Sequence, residues 1–198
     1  MNEEDHGAGA EMQAFRQSYE KDANELFSAL GEFICIYATT ETSWHMCLDR
    51  SLYPLNPAIS RAMAGGMRLG DLTGVLSRVI AMGDLPDERK REFRECLTHF
   101  DHITAFRNRL IHRGATPSYG RFVSSNSLTA KARESVEVLR FSLRDLRAAA
   151  DDCYRIHVRL MYLWGDNELV LSGSGRQRMY GPWRYKPLQP IKPGAESD

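Results

Sequence analysis

The feature that most constrains this chain is a long apolar stripe with helical spacing near its beginning. Its members recur at steps of three, four and seven residues: Leu26, Leu30, Phe33, Ile34, Tyr37, Trp44 and Leu48. This periodicity indicates a helix with one buried face. The helix starts near Asp22 and can continue to about Leu52, before Pro54 breaks it. At 1.5 Å per residue it measures about 45 Å, which suits a bundle or a dimer arm.

The rest of the chain up to Gly165 keeps this helical character. Two shorter helices are expected first, and a long one then ends at Gly114. Residues 114–128 are rich in Gly and Ser, which predicts a loop with room for a short hairpin around Arg121–Val123. A last long helix is expected from about Arg133. The predicted fold is therefore all-α: an antiparallel bundle of about four to five helices, with long first, fourth and last helices and flexible or extended termini.

The composition of the chain changes along its length and predicts three segments and a cytoplasmic location. Residues 1–20 form an acidic, partly disordered segment, residues 21–165 the bundle, and residues 166–198 a tail rich in Pro, aromatic and basic residues. No apolar run approaches the roughly 20 residues of a membrane span. The acidic start predicts no signal peptide, and four well-separated cysteines predict reduced thiols in a cytoplasmic protein. The 26 basic and 26 acidic residues balance, which excludes a chain that coats nucleic acid along its whole surface.

One segment departs from this balance, because no acid lies between Asp101 and Glu134. The cations in this interval are Arg107, Arg109, Arg113, Arg121, Lys131 and Arg133. A basic face near the end of a helix can simply be solvated, since cations interact favourably with the helix dipole there. The alternative is an anion site, for which an RNA or DNA backbone is the commonest polyanion.

The string Arg107-Asn108-Arg109-Leu110-Ile111-His112 lies inside this basic segment. Asn108 and His112 are four residues apart and share a helix face, so the amide can fix the tautomer of the imidazole. Arg107 and His112 are five apart, about 140° around an ideal helix. Their side chains converge only if the last turn is distorted or the arginine reaches around. The other interpretation of His112 is an ordinary histidine at a helix end beside Gly114.

This R-N-x-x-x-H string, late in a long helix, resembles the Rx4-6H motif of HEPN domains. The resemblance extends loosely over residues 22–165. It implies a metal-independent endoribonuclease that works as a homodimer, with two motifs facing each other across a cleft and 2′,3′-cyclic phosphate ends as product. His112 would act as general base or acid on the ribose 2′-hydroxyl, Arg107 would hold the scissile phosphate, and Asn108 would orient the pair.

The same interpretation gives further expectations. Arg109, Arg113 and Arg121 are expected to contact the RNA backbone. No metal or other cofactor is implied, because RNA carries its own nucleophile. The partners implied are a second copy of the chain, an RNA substrate and a cognate inhibitor or antitoxin, as for a toxin or defence effector. The alternative is a non-catalytic helical module for dimerisation, partner binding or RNA binding.

Three other patterns are weaker. Cys96, His99 and His102 superficially suggest a zinc site, but steps of three drift about 60° each around a helix and a fourth ligand is missing. Cys153 and His157 lack a third group to orient the histidine as a base. In the tail, residues 176–192 mix basic and aromatic side chains, which suits stacking on unpaired bases or an extended strap packed on the protein. The prolines favour the strap.

Overall fold

A computed structural model of the protein describes residues 4–52, 57–118, 120–164 and 179–192. The helices and strands in these ranges are α1 (Glu4–Ser51), α2 (Pro57–Ala64), α3 (Leu69–Met82), α4 (Asp87–Arg113), β1 (Thr116–Ser118), β2 (Arg121–Ser125), β3 (Val138–Phe141) and α5 (Leu143–Trp164). The long first, fourth and last helices are confirmed. The all-α prediction is wrong in one respect, because three strands form a small antiparallel sheet.

The chain forms two compact units, and the second consists of Ile34–Ala105 and Ala148–Tyr185. Its core is aromatic: the Trp44 and Phe93 rings meet edge to face at 5.1 Å, and the Tyr37 and Phe100 rings stack at 5.0 Å. Since later residues of α1 meet earlier residues of α4, these two helices are antiparallel. The Thr40 hydroxyl donates to the carbonyl oxygen of Cys153 at 3.0 Å, in α5. Most of the predicted stripe is buried, and its remaining members, Leu30 and Ile34, are half-buried.

The first unit consists of Met1–Phe33, Phe106–Arg147 and Lys186–Asp198, and it contains the sheet. The strands lie in the order β1-β2-β3, with Ser118 opposite Arg121 and Phe122 opposite Phe141. Gly120 turns the chain between β1 and β2 with a φ of +72°, a conformation that favours glycine. Phe141 contacts both Phe106 and Phe122, at ring distances of 5.6 and 5.7 Å. The sheet is thus fastened by aromatic packing to the end of α4.

The segment before α5 is a strand, and not the first turns of the last helix as predicted. Leu139 and Phe141 are buried while Arg140 between them is exposed, which is the alternation of a strand. Leu139 also stands at helical spacing from Leu143 and Leu146, so the two patterns overlap in the sequence. The change occurs at Ser142, whose hydroxyl donates to Asp145 Oδ2 at 2.7 Å and accepts from the Asp145 amide at 3.3 Å. This reciprocal pair caps the start of α5.

The first helix begins much earlier than the predicted start at Asp22. Every residue from Met12 to Lys21 is exposed. On an ideal helix, Met12, Phe15 and Tyr19 lie within about 60° of the same face as Phe33 and Tyr37, which are buried. The apolar stripe of α1 therefore continues along a part of the helix where its side chains remain exposed.

Replacement of Ser142 by alanine tests where α5 begins. The Ser142→Ala variant loses the cap, so its free energy of unfolding in urea should fall by about 1 kcal/mol. If residues 133–145 were instead one continuous helix, alanine would favour it and stability would stay the same or rise. Ser127→Ala, in an exposed turn, is the matched control and should change little.

Candidate functional site

The motif residues Arg107, Asn108 and His112 lie on the last turns of α4, in the first unit. The helix stays regular through Arg113 and ends at Gly114, whose φ is +69° and whose amide donates to the Leu110 carbonyl oxygen at 3.0 Å. The distortion that would let Arg107 and His112 converge is therefore absent from this turn. The two side chains leave the helix on different faces, about 140° apart.

The Asn108 side chain of the motif is hydrogen-bonded to the preceding residue, Arg107. Arg107 Nη1 donates to Asn108 Oδ1 at 2.9 Å, and both side chains are half-buried. The amide thus holds the guanidinium, whereas the sequence spacing predicted that it would orient the His112 ring. The His112 side chain is exposed at the helix end. It is accessible to a ligand, as a general acid or base must be.

The three arginines expected to contact RNA differ in their surroundings. Arg113 Nη1 lies 2.9 Å from Glu137 Oε2, so its charge is balanced by a carboxylate that follows the acid-free interval in sequence. Arg109 is half-buried, and its carbonyl oxygen is 3.5 Å from the Ser124 hydroxyl. Arg121 is exposed on β2. Of these three residues, Arg121 is the most accessible to an anionic ligand.

A buried polar cluster that the sequence did not reveal lies in the second unit. The Asp152 side chain on α5 is completely buried. It meets His99 Nε2 at 2.9 Å and Arg155 Nη1 at 3.0 Å. Its Oδ2 atom also accepts hydrogen bonds from the backbone amides of Arg184 and Tyr185 at 2.7 and 2.8 Å. His99 is therefore a partner of Asp152 and not a zinc ligand with Cys96 and His102.

Burial and hydrogen bonding have opposite effects on the pKa of Asp152. Burial alone would raise it, but hydrogen bonds from His99 and the Tyr185 amide, together with the charges of His99 and Arg155, lower it below its usual range. The carboxylate is thus held ionised in the interior. Its role is to fix α4 and the segment 179–185 onto α5.

Residues 179–185 pack on α5 as the extended strap that the prolines of the tail predict. Arg155 donates to the carbonyl oxygens of Gly181 and Pro182, and Arg159 Nη2 donates to that of Met179 at 2.7 Å. The Trp183 ring stacks on His99 at 4.3 Å, and the Arg159 guanidinium lies 4.5 Å from its centre. The ring is thus in contact within the chain rather than presented for stacking on a base. Residues 176–178 of the predicted basic-aromatic segment lie outside the described residues.

The remaining candidate pair, Cys153 and His157, is also held within the protein. Burial raises the pKa of the Cys153 thiol, which disfavours the thiolate that a nucleophile requires. His157 Nδ1 lies 2.6 Å from the Ser43 hydroxyl, and burial lowers the pKa of this histidine. Among the residues that the structure describes, no three His, Cys, Asp or Glu side chains come together as a metal-binding group. No helix in the same ranges is long and apolar enough to cross a membrane.

A cavity of about 500 Å³ in the second unit is lined by Glu92, Tyr162 and Tyr180 among others. Burial and neighbouring carboxylates raise the pKa of Glu92, against the opposing effects of Arg159 and a hydrogen bond with Tyr180. In turn, burial and Glu92 raise the pKa of Tyr180 to about 12. Glu92 is therefore protonated more readily than an exposed glutamate, and its Oε1 atom is buried.

No family model matches this chain. Neither the curated proteins nor the solved structures yielded a similar relative.

Replacement of Asp152 by asparagine tests the buried cluster. The variant leaves His99 and Arg155 without their carboxylate, so we expect it to lower the free energy of unfolding by about 3–5 kcal/mol at neutral pH. The folded pKa of Asp152 lies below its unfolded value, so its stabilising contribution is present above about pH 4 and is lost as the pH falls further. The difference between wild type and variant should shrink accordingly in urea titrations.

The matched control is the neighbouring Asp151→Asn variant. Asp151 pairs with Arg184 at the surface, and its side chain is 47% exposed. This substitution should cost less than about 1 kcal/mol. Equal losses in the two variants would contradict a special role for the buried carboxylate.

Proposed function

We propose that this chain is a metal-independent endoribonuclease of the HEPN type that acts as a homodimer. The observation that supports this most directly is the end of α4, where an exposed His112 follows the hydrogen-bonded Arg107–Asn108 pair by one turn. A histidine is the side chain best suited to proton transfer near neutral pH, and a guanidinium is suited to a phosphate. The exposed Arg121 adds positive charge in the same unit.

In the proposed reaction, His112 accepts the proton of a ribose 2′-hydroxyl. The 2′ oxygen attacks the adjacent phosphorus, and the bond from phosphorus to the 5′ oxygen of the next nucleotide breaks. That 5′ oxygen takes up a proton from solvent water, His112 releases its proton to solvent, and the other product is a 2′,3′-cyclic phosphate. Arg107, oriented by Asn108, stabilises the charge that develops on the non-bridging oxygens. The substrate supplies the nucleophile, so these groups suffice for the chemistry.

The helix geometry supports the homodimer of this proposal. Within one chain, Arg107 and His112 lie on different faces of a regular helix and do not converge on one phosphate. Two copies related by a two-fold axis can each supply one of the two groups, so that Arg107 of one protomer acts with the partner's His112. The exposed stripe Met12, Phe15 and Tyr19 supports such pairing, because it continues the buried face of α1 and offers apolar area to a second copy.

The proposed setting is that of a cytoplasmic toxin or defence effector restrained by a cognate inhibitor or antitoxin. This part rests on the resemblance of the Arg107–His112 string to the HEPN motif. The RNA chemistry is consistent with such a role, because an enzyme that needs no cofactor is active as soon as it is released from inhibition.

The experiment that tests the enzyme is cleavage of single-stranded RNA in EDTA, with analysis of the product ends. Wild-type protein should leave 2′,3′-cyclic phosphates. The His112→Ala variant should lose about 10²- to 10⁴-fold in rate, because it lacks the proton-transfer group. The control is His102→Ala, a second exposed histidine of α4 outside the motif, which should cleave at the wild-type rate. Equal cleavage by wild type and His112→Ala would contradict the proposal.

The second candidate function is a non-catalytic module for dimerisation or partner binding, and the exposed α1 stripe favours it. The two candidates predict different results for Tyr19→Glu, which places a charge in the stripe. Sedimentation should show weaker self-association for either candidate, whereas Phe27→Glu, exposed about 80° around the helix from Tyr19, should leave it unchanged. Only the nuclease also predicts that cleavage falls together with dimerisation.

A further inference from the structure

The sheet of the first unit has one buried face and one outward face. Phe122, Ser124, Leu139 and Phe141 are buried on the inner face. Because side chains alternate along a strand, Arg121 and Val123 of β2 and Arg140 of β3 lie on the opposite face. The strand register places Arg140 directly opposite Val123, and Val123 directly opposite Thr116 of β1. The outward face is therefore defined by the pairing and not only by exposure.

The outward face combines positive charge with hydroxyl groups. Arg121 and Arg140 are both exposed. They are diagonal neighbours on adjacent strands, a relation in which the Cα atoms are roughly 7–8 Å apart. Ser118 is paired with Arg121, and Ser125 lies further along β2 on the same face. None of the three strands, β1, β2 and β3, contains an Asp or Glu.

The charges of these two arginines are not balanced by ion pairs in the part of the chain that the structure describes. Arg113, in contrast, is balanced by Glu137 in the same unit. Two like charges on neighbouring strands repel each other, and an anion bound between them removes that repulsion. Arginine binds phosphate with two parallel hydrogen bonds, and serine and threonine hydroxyls commonly contact the same oxygens.

We infer that the outward face of this sheet binds the phosphate backbone of single-stranded RNA, with Arg121 and Arg140 as its two phosphate contacts. The inference rests on the proposed ribonuclease function for the identity of the polyanion. It adds Arg140, which lies outside the acid-free interval and was not a sequence candidate. Single-stranded RNA fits the surface because the described residues of β1, β2 and β3 present charge and hydroxyl groups but no aromatic ring on this face, so contact is through the backbone and tolerates any sequence.

The test measures RNA binding at several salt concentrations by fluorescence anisotropy. All proteins carry His112→Ala, so that cleavage does not interfere, and the probe is a labelled single-stranded RNA of mixed sequence. Each single substitution, Arg121→Gln or Arg140→Gln, should reduce the slope of log K against log salt by about 0.7, and the double variant by about 1.4. At 0.1 M salt this corresponds to about fivefold weaker binding for each arginine that is replaced.

Arg78→Gln, which removes an exposed arginine of α3 in the second unit, is the matched control and should leave the slope unchanged. Unchanged slopes for Arg121→Gln and Arg140→Gln would overturn the inference, as would an equal reduction in the control. The far-ultraviolet circular dichroism and melting temperature of each variant show whether the sheet is intact. Substitution of exposed arginines should leave both unchanged.

The outcome is separate from that of the proposed function. If the slopes do not change but His112-dependent cleavage is observed, the proposed nuclease function is supported and the inferred RNA contact on the sheet is wrong. If the slopes change as expected but no His112-dependent cleavage occurs, the sheet binds RNA in a protein that does not cut it.

Discussion

The second unit depends on one buried charge, the carboxylate of Asp152. Transfer of an ion from water to the interior costs several kcal/mol unless partners replace its hydration. Here the partners come from three parts of the chain: His99 on α4, Arg155 on α5, and the amides of Arg184 and Tyr185. Removal of any of these groups leaves part of the charge unsatisfied. The carboxylate therefore specifies where α4 and the strap lie on α5.

This arrangement also assigns roles to residues that resemble catalytic or binding groups. His99 holds Asp152, Trp183 packs between aromatic and guanidinium neighbours, and His157 is bonded to Ser43. These side chains are in contact with other residues of the chain. In the first unit, by contrast, His112, Arg121 and Arg140 present polar groups at the surface. For this reason the proposed chemistry is placed at the end of α4 and on the sheet.

The helices were predictable from sequence to the extent that their apolar spacing was unambiguous. Trp44 and Leu48 follow the three-four pattern and are buried as expected. Strand β3 was not predictable, because Leu139 fits helical spacing with Leu143 as well as it fits alternation with Phe141. The serine and aspartate of the cap, Ser142 and Asp145, are the signal that distinguishes the two patterns.

The site was predictable only as a string of residues. The accessible position of His112 followed from a helix that ends at Gly114. The hydrogen bond between the Arg107 and Asn108 side chains could not be predicted, because the side chains of adjacent residues leave an ideal helix about 100° apart. The pairing of Arg113 with Glu137 and of His99 with Asp152 joins residues distant in sequence. Such contacts depend on how the elements pack, which local spacing does not encode.

The central claim is that a functional site requires Arg107 from one copy and His112 from another. The most direct measurement is the cleavage rate of an equal mixture of Arg107→Ala and His112→Ala proteins after subunit exchange. Half of the dimers are then mixed, and each mixed dimer contains one intact site, so activity should recover to about one quarter of the wild-type rate. If the mixture remains as inactive as the separate variants, the shared site is wrong.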